Sequence, residues 1–475
     1  MESRTKMDAV ERVRQLCDEL ARRASGEMAA VSRDVGSTVA EPLRVAVVGR
    51  VKAGKSTLVN ALIGTKVAAT NATECTRIVT WYRFGISAPT EVVLRDGSVH
   101  TLPVSGYVPE EIGVPVERVA HAVVYLQEQP LQELTLIDTP GLETSTERNE
   151  EATRRAILNA EAGAGADAII YVFKRAEHGD DLRFVREFNN VVGAGVGASI
   201  GVLSSADLFG SGPWHAVDPI DAAAAFVADM ARRHTAILGT IVPFSGRMAE
   251  ASRTGEIRED DARTLARLAD LDDLDLQDLE VEPFAVDGVD PAALARVVQS
   301  LRGYPLRHGR TIAGQGAAAL ARWMLERSGY ATLEAELRSR YIGLSHHLKL
   351  RQGLARLHEA ATRAPGSAEL IDAIQTARID PALHVLREFD AHELLLSRAP
   401  RSPLIATLKH LMLASTDRER LQLAATASDA EVYTEARRRA SEEVAHAAVA
   451  TDSAADNAHV VLAQSYRLLA ARHDL

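Results

Sequence analysis

The stretch VVGRVKAGKSTLVNALIG, residues 47–64, restricts the possible folds of this chain more than any other part of it. Its centre, GRVKAGKS, fits G-x-x-x-x-G-K-[ST], the loop that wraps nucleotide phosphates. With glycine at roughly 7% of average sequence, a chance match in a chain this long is on the order of one or two in a hundred. The apolar run PLRVAVVG before the loop predicts a buried strand. KSTLVNALIG after it predicts a helix that turns Leu58, Leu62 and Ile63 inward. Strand, loop and helix in that order place backbone N–H groups at a helix N-terminus, where they attract anions. The phosphate-binding set is therefore Gly49, Val51, Lys52, Ala53, Gly54, Lys55, Ser56 and Thr57. In it Lys55 bridges to the terminal phosphates and Ser56 Oγ ligates Mg²⁺.

Composition narrows what surrounds this loop. At 475 residues the chain has room for two to four domains, and at 46% hydrophobic residues it can bury a large core. Aromatic residues are only 4%, and the abundance of Ala, Leu and Arg favours helices. A net charge of −11 argues against a nucleic-acid partner, which needs a basic face. Cys17 and Cys75 lie far apart, with no spacing that implies a disulfide framework or a metal cluster. The charged start, MESRTKMDAVERVRQL, does not read as a signal peptide, and no stretch offers the apolar length of a membrane span. A cytoplasmic protein, touching a membrane at most peripherally, is expected.

Along the chain, residues 8–35 show helical spacing, with Val10, Val13, Leu16, Cys17, Leu20 and Ala24 between charges. Short apolar runs then predict strands at 43–48, 77–84, 121–126, 133–138, 167–173, 199–204 and 240–244, with a hairpin turning on Asp96-Gly97. This alternation is that of a mostly parallel α/β sheet. The acidic text at 256–282 reads as a connecting segment whose charges face solvent. Beyond 290 the pattern is helical, and Leu333, Leu337, Tyr341, Leu344, Leu348, Leu354 and Leu357 suggest one helix about 45 Å long. The expected organisation is an N-terminal helix over 1–40, a nucleotide-binding domain over 41–250, a connector over 251–289 and a helical bundle or stalk over 290–475. The N-terminal helix joins that bundle.

A phosphate loop alone does not separate ATPases, kinases and GTPases, but later elements do. LTLIDTPG at 134–141 is an apolar strand ending in D-T-P-G. Asp138 there reaches Mg²⁺ through water, and the Gly141 N–H senses the γ-phosphate. Between the two motifs a mobile threonine is needed to close on the metal. Thr70, Thr73, Thr76 and Thr80 compete, and Thr76 is preferred because it directly precedes an apolar strand. After the next-but-one strand, SSAD places Asp207 where its carboxylate accepts from guanine N1–H and N2–H₂, a donor pattern adenine lacks. Ser245, in IVPFSG, lies where a backbone amide would meet the guanine oxygen. The implied ligands are GTP or GDP and Mg²⁺. The metal set is Ser56, Thr76 and Asp138, and the catalytic candidates are Lys52, Lys55 and Thr76.

GRVKAGKSTLVNALIG, ATECTRIVTWYRFG and LIDTPG, with SSAD in the base-reading place, together resemble the dynamin superfamily. The likeness is to its bacterial members, in particular the isoniazid-inducible dynamin-like proteins of mycobacteria and their actinobacterial relatives. The resemblance implies a GTPase domain flanked by a helical bundle, Mg²⁺-dependent GTP hydrolysis, self-association through the GTPase domain, and work on membranes. Two positions depart from the family: dynamins commonly carry Gln then Ser where this chain has Val51 and Lys52. Leu142 follows the D-T-P-G motif, where Ras-like enzymes keep a catalytic Gln. Lys52 therefore either supplies in cis the charge that a monovalent cation gives elsewhere, or is a surface lysine that favours phosphate binding. A second candidate function is a weakly hydrolysing GTP-gated scaffold that assembles with another dynamin-like protein. A ribosome-assembly GTPase fits less well, lacking N-K-x-D and a basic RNA-binding domain. LLLSRAPRSPLIATLKHLMLAS, residues 394–415, is both a candidate membrane contact and a candidate pair of core helices.

Overall fold

The computed structural model describes residues 4–68, 78–109, 112–141, 154, 157, 158, 165–174, 181–191, 195–233, 237–282 and 284–474. Nine strands form one sheet: β1 (Leu43–Gly49), β2 (Thr80–Phe84), β3 (Thr90–Leu94), β4 (Val99–Leu102), β5 (Val119–Leu126), β6 (Leu134–Asp138), β7 (Ala168–Phe173), β8 (Ser199–Ser204) and β9 (Thr240–Phe244). Their order across the sheet is β4-β3-β5-β2-β6-β1-β7-β8-β9. β6, β1, β7, β8 and β9 run parallel, whereas β2 pairs antiparallel with β6. Every residue of β1, β7 and β8 is buried, as in a sheet covered on both faces. The β3–β4 hairpin closes as its sequence predicts: Leu94 N–H donates to Ser98 O at 2.8 Å, and Asp96 Oδ1 accepts from Ser98 N–H at 3.0 Å.

The N-terminal segment is two helices, Arg4–Arg23 and Gly26–Thr38, rather than one. Gly26, with φ +62°, breaks the run, because a left-handed residue cannot continue a right-handed helix. Val13, Leu16, Cys17 and Leu20 still point inward, against Leu354, Leu357, Leu370 and Ile374 of the C-terminal helices. Asp380 caps the turn Pro381–Leu383 through the Ala382 N–H at 2.9 Å, and accepts from Arg12 at 2.8 Å. The N-terminal helices and residues 350–386 thus share one helical core.

The expected single long helix is also divided. Tyr330–Glu336 is followed by a π-helical stretch, Leu337–Ile342, and then by Ser345–Arg363. The wider turn brings Tyr341 onto the sheet, where its hydroxyl donates to the carbonyl of Ile169 and approaches that of Ala198 at 3.1 Å. Leu333, Leu337, Leu344 and Leu348 consequently share the core of the sheet, while Leu354 and Leu357 belong to the helical body. One apolar stripe therefore serves two cores.

Residues 246–327 contribute a third core, in which Leu265, Leu268, Leu276 and Leu279 pack on Leu294, Val297 and Leu320. The stretch that reads as a connector supplies core leucines while most of its acids face solvent. Residues 394–415 are likewise core: Leu395, Leu408, Leu411 and Met412 are buried on either side of the turn before Leu404. These four are covered by protein, as a pair of core helices requires, while Leu394 stays exposed. Among the described residues no helix is long and apolar enough to cross a membrane. The exposed face of the helix Asp429–Val449 carries short-range ion pairs, Arg438 with Glu442 among them.

Candidate functional site: a phosphate loop at the carboxyl ends of five parallel strands

The parallel strands deliver their carboxyl ends to one edge, which is where open α/β sheets bind ligands. Gly49 ends β1 so close to β7 that a Cβ on it would lie 2.2 Å from the Val172 carbonyl oxygen, so no larger residue fits. The loop then turns through Lys52 in the left-handed region, φ 61°, and Gly54, φ 97°, before the helix Lys55–Ile63. Lys52 and Ser205 are two of the four non-glycine residues with positive φ among the described residues. Such strain gathers where surrounding structure over-determines a functional loop.

Lys55 is buried and lies back along the loop, donating to the carbonyl oxygens of Gly49 at 3.2 Å and Arg50 at 3.0 Å. An ammonium has three donors, so the loop fixes its direction while leaving capacity for a phosphate. Burial lowers its pKa, and the Asp138 carboxylate opposes that shift. Ser56 Oγ donates to Asp138 Oδ2 at 3.0 Å, while the buried Asp138 Oδ1 has no partner among the described residues. Burial raises the Asp138 carboxyl, against Lys55, Ser56 and the Thr139 N–H. A serine hydroxyl beside an orphaned carboxylate oxygen is a donor set suited to a hydrated Mg²⁺. Thr139, next in the motif, donates its hydroxyl to Val47 O at 2.8 Å and pins β6 to β1. Gly141 abuts the loop: a Cβ there would fall 2.8 Å from Val51 N, so the D-T-P-G turn and the phosphate loop are in direct contact.

The base-reading candidates sit at the same edge. Asp207 is buried in the turn Ala206–Leu208 that follows β8, and burial raises its carboxyl. The Ser245 hydroxyl beside it holds that carboxyl lower, although no hydrogen bond of ordinary geometry joins them. A Cβ on Gly54 would be 3.8 Å from Ser204 Cβ, and one on Gly246 would be 3.1 Å from Thr57 Cγ2. The ends of β8 and β9 therefore flank the phosphate loop. Ala53 is buried beneath the loop, whereas Val51 and Lys52 are exposed on it. Thr70, Thr73, Thr76 and Leu142 lie outside the described residues; Thr80 lies within β2, buried.

Sequence reasoning passed over Asn60. Almost fully buried, it accepts from the N–H groups of Val67 at 3.0 Å and Ala68 at 2.8 Å, and donates to Glu250 at 2.7 Å. It thereby anchors the chain where it enters the threonine-rich segment. A lone amide on the buried face of an otherwise apolar helix was the available signal, since such a group requires partners.

Fold and site define a P-loop GTPase domain joined to a helical body. Residues 44–194 match the family model described as 50S ribosome-binding GTPase. It is similar to the isoniazid-induced protein IniC of Mycobacterium tuberculosis, strains CDC 1551 and H37Rv. In each case 34% of 241 residues are identical, covering 50% of this chain and 48% of the relative. The chain thus spans about half the length of these relatives. The resemblance to the isoniazid-inducible dynamin-like proteins is borne out. A solved structure described as an oligomerised bacterial dynamin pair that senses and tethers membranes aligns over 98% of this chain and 90% of that one. Identity there is 13% and the TM-score 0.37, too distant to carry an argument.

Proposed function

We propose that the protein binds and hydrolyses GTP with Mg²⁺, and couples the nucleotide state to self-association or to pairing with another dynamin-like protein at a membrane surface. The observation that supports this most is the convergence of Lys55, Ser56 and Asp138 at one strand edge, with Asp207 and Ser245 beside them. In this reading the loop N–H groups hold the β-phosphate, and Lys55 neutralises charge on the terminal phosphates. Mg²⁺, held by Ser56 and Thr76 and through water by Asp138, would supply Lewis-acid stabilisation of the departing charge. Gly141 would sense the γ-phosphate, and its contact with the loop at Val51 gives that signal a short path. The ribosome named in the family description belongs to that family model, whose match here is confined to residues 44–194.

Liposome co-sedimentation with GTP turnover at rising protein concentration tests this reading. Specific activity should climb with concentration and with vesicles. Flat, vesicle-independent turnover sinks the coupling. A scaffold that hydrolyses poorly is the second reading, favoured by Val51 and Leu142 at positions where water-orienting glutamines stand in relatives of this class. It requires turnover to stay negligible until a second dynamin-like protein is added.

Two further outcomes follow from the site. Asp207→Asn replaces a double acceptor with a group that accepts once and donates, so it should weaken GTP by about 3–4 kcal/mol, roughly 10²–10³-fold. ATP binding should be unchanged, and calorimetry with both nucleotides checks the pair. If Lys52 supplies the cis charge, wild-type turnover should proceed without K⁺, and Lys52→Ser should lose it unless K⁺ is restored. Turnover measured with and without K⁺ for both chains decides between this role and a surface lysine.

A further inference from the structure

The last two helices, Asp429–Val449 and Ser453–Arg472, form an antiparallel hairpin remote from the phosphate loop in sequence and in role. Val432, Ala436 and Ala440 of the first helix share an apolar core with Ala458, Leu462 and Tyr466 of the second. Past Ala440 no residue of the first helix is buried up to Val449. The contact between the helices near this end is instead polar. Glu443 and His446 stand three residues apart on one face of the first helix, and His459 faces them from the second turn of the next.

Their donor atoms all lie within 4.8 Å of one another. His459 Nδ1 is 2.5 Å from Glu443 Oε2, and the rings of His446 and His459 have centroids 5.3 Å apart. The Glu443 and His459 side chains are only 14 and 16% exposed, so their rotamers are already restricted by packing. In a tetrahedral zinc site, ligands at 2.0–2.2 Å from the metal lie about 3.3 Å from each other. Reaching that spacing needs the donor atoms to shift on the order of 1 Å.

We infer that Glu443, His446 and His459 form a binding site for a borderline divalent transition-metal ion, of which Zn²⁺ is the best match, clamping the terminal hairpin beside its turn. Two imidazoles and one carboxylate select such an ion over Mg²⁺ or Ca²⁺, which prefer all-oxygen sets. Three protein ligands leave the fourth position to water or to a group from outside the hairpin. The ion takes the place of the proton or hydrogen bond now shared by Glu443 and His459. It fastens the helices past Ala440, where burial on the first helix ends, and has no part in phosphate chemistry.

The test uses the full chain without a polyhistidine tag, stripped with chelator, in the absence of nucleotide and Mg²⁺. Zn²⁺ is titrated against a chromophoric competitor. The wild type should take up one equivalent that His446→Ala and His459→Ala each weaken by at least tenfold, since even outer-shell losses cost roughly 10–100-fold. Far-ultraviolet circular dichroism establishes that the variants remain helical. Zn²⁺ should also raise the thermal midpoint of the wild type, and not that of the double variant. Zinc uptake that is the same in wild type and double variant overturns the site. So does a loss confined to His459→Ala, which leaves a pair of groups rather than three ligands.

Discussion

Lys55→Ala should abolish measurable GTP turnover and weaken GTP binding by about 3–4 kcal/mol, roughly 10²–10³-fold, for a chain that remains folded. The expectation rests on where the ammonium is. It is buried, with its direction set by the carbonyls of Gly49 and Arg50, and no other lysine of the loop shares that position. Lys52, exposed on the loop, cannot replace it without refolding the turn. Removing the buried charge also removes a cation that counteracts the elevation of Asp138, the carboxylate proposed to reach the metal through water. Calorimetric titration with GTP and GDP, followed by phosphate release, checks both halves. Unchanged GTP affinity in the variant would remove Lys55 from the site.

The second large effect lies at the join between the sheet and the helical body. Asp167 precedes β7 and is fully enclosed. Its Oδ1 accepts from Arg44 Nη2 at 2.8 Å and its Oδ2 from the Arg44 N–H at 2.8 Å, with Lys349 Nζ at 3.5 Å. Its carbonyl accepts from Gln352 at 2.6 Å, and Lys349 also donates to Thr38 O at 3.0 Å. One carboxylate thus serves cations from the first strand and from the helix Ser345–Arg363. Asp167→Ala takes from two buried cations the enclosed carboxylate they share, so it should cost about 3–5 kcal/mol, a large part of a typical folding free energy. Urea unfolding of both chains measures it; a loss under about 1 kcal/mol contradicts the account.

The same residue sets a pH dependence. Arg44 and Lys349, overcoming the cost of burial, hold the Asp167 carboxyl down to about 2, from 3.8. A carboxyl depressed in the folded state stabilises that state above its ordinary value, and the contribution is lost as pH falls toward about 2. Stability should therefore decline between about pH 4 and pH 2 more steeply in the wild type than in Asp167→Asn. Parallel curves for the two chains would contradict the assignment.

Most strands were legible because a parallel strand covered on both faces is a continuous apolar run, as PLRVAVVG and the stretch before Asp207 are. The phosphate loop was legible because its glycines and lysine are required at fixed spacing by a backbone that must approach a phosphate. Helix interruptions were less so. The division at Gly26 depends on a left-handed residue, and the π-helical stretch at Leu337–Ile342 on the docking of Tyr341 against β7 and β8. Periodicity reports which residues are apolar, not which of two cores receives them, so the stripe from Leu333 to Leu357 read as one helix. The segment 394–415 illustrates the same ambiguity. Its leucines suit a lipid surface or a core equally well, and only the packing of Leu408 and Met412 decides.

From its sequence alone the chain determined a nucleotide-binding sheet, the loop that grips phosphate, and the presence of helices at both ends, because each follows from local spacing and burial. The tertiary structure decided how those helices are divided and shared among four cores. It also decided that Asp167 joins Arg44 across 123 positions and Gln352 across 185, and that Glu443, His446 and His459 meet. Those pairings are set by where the chain returns to itself. No local pattern of residues encodes them.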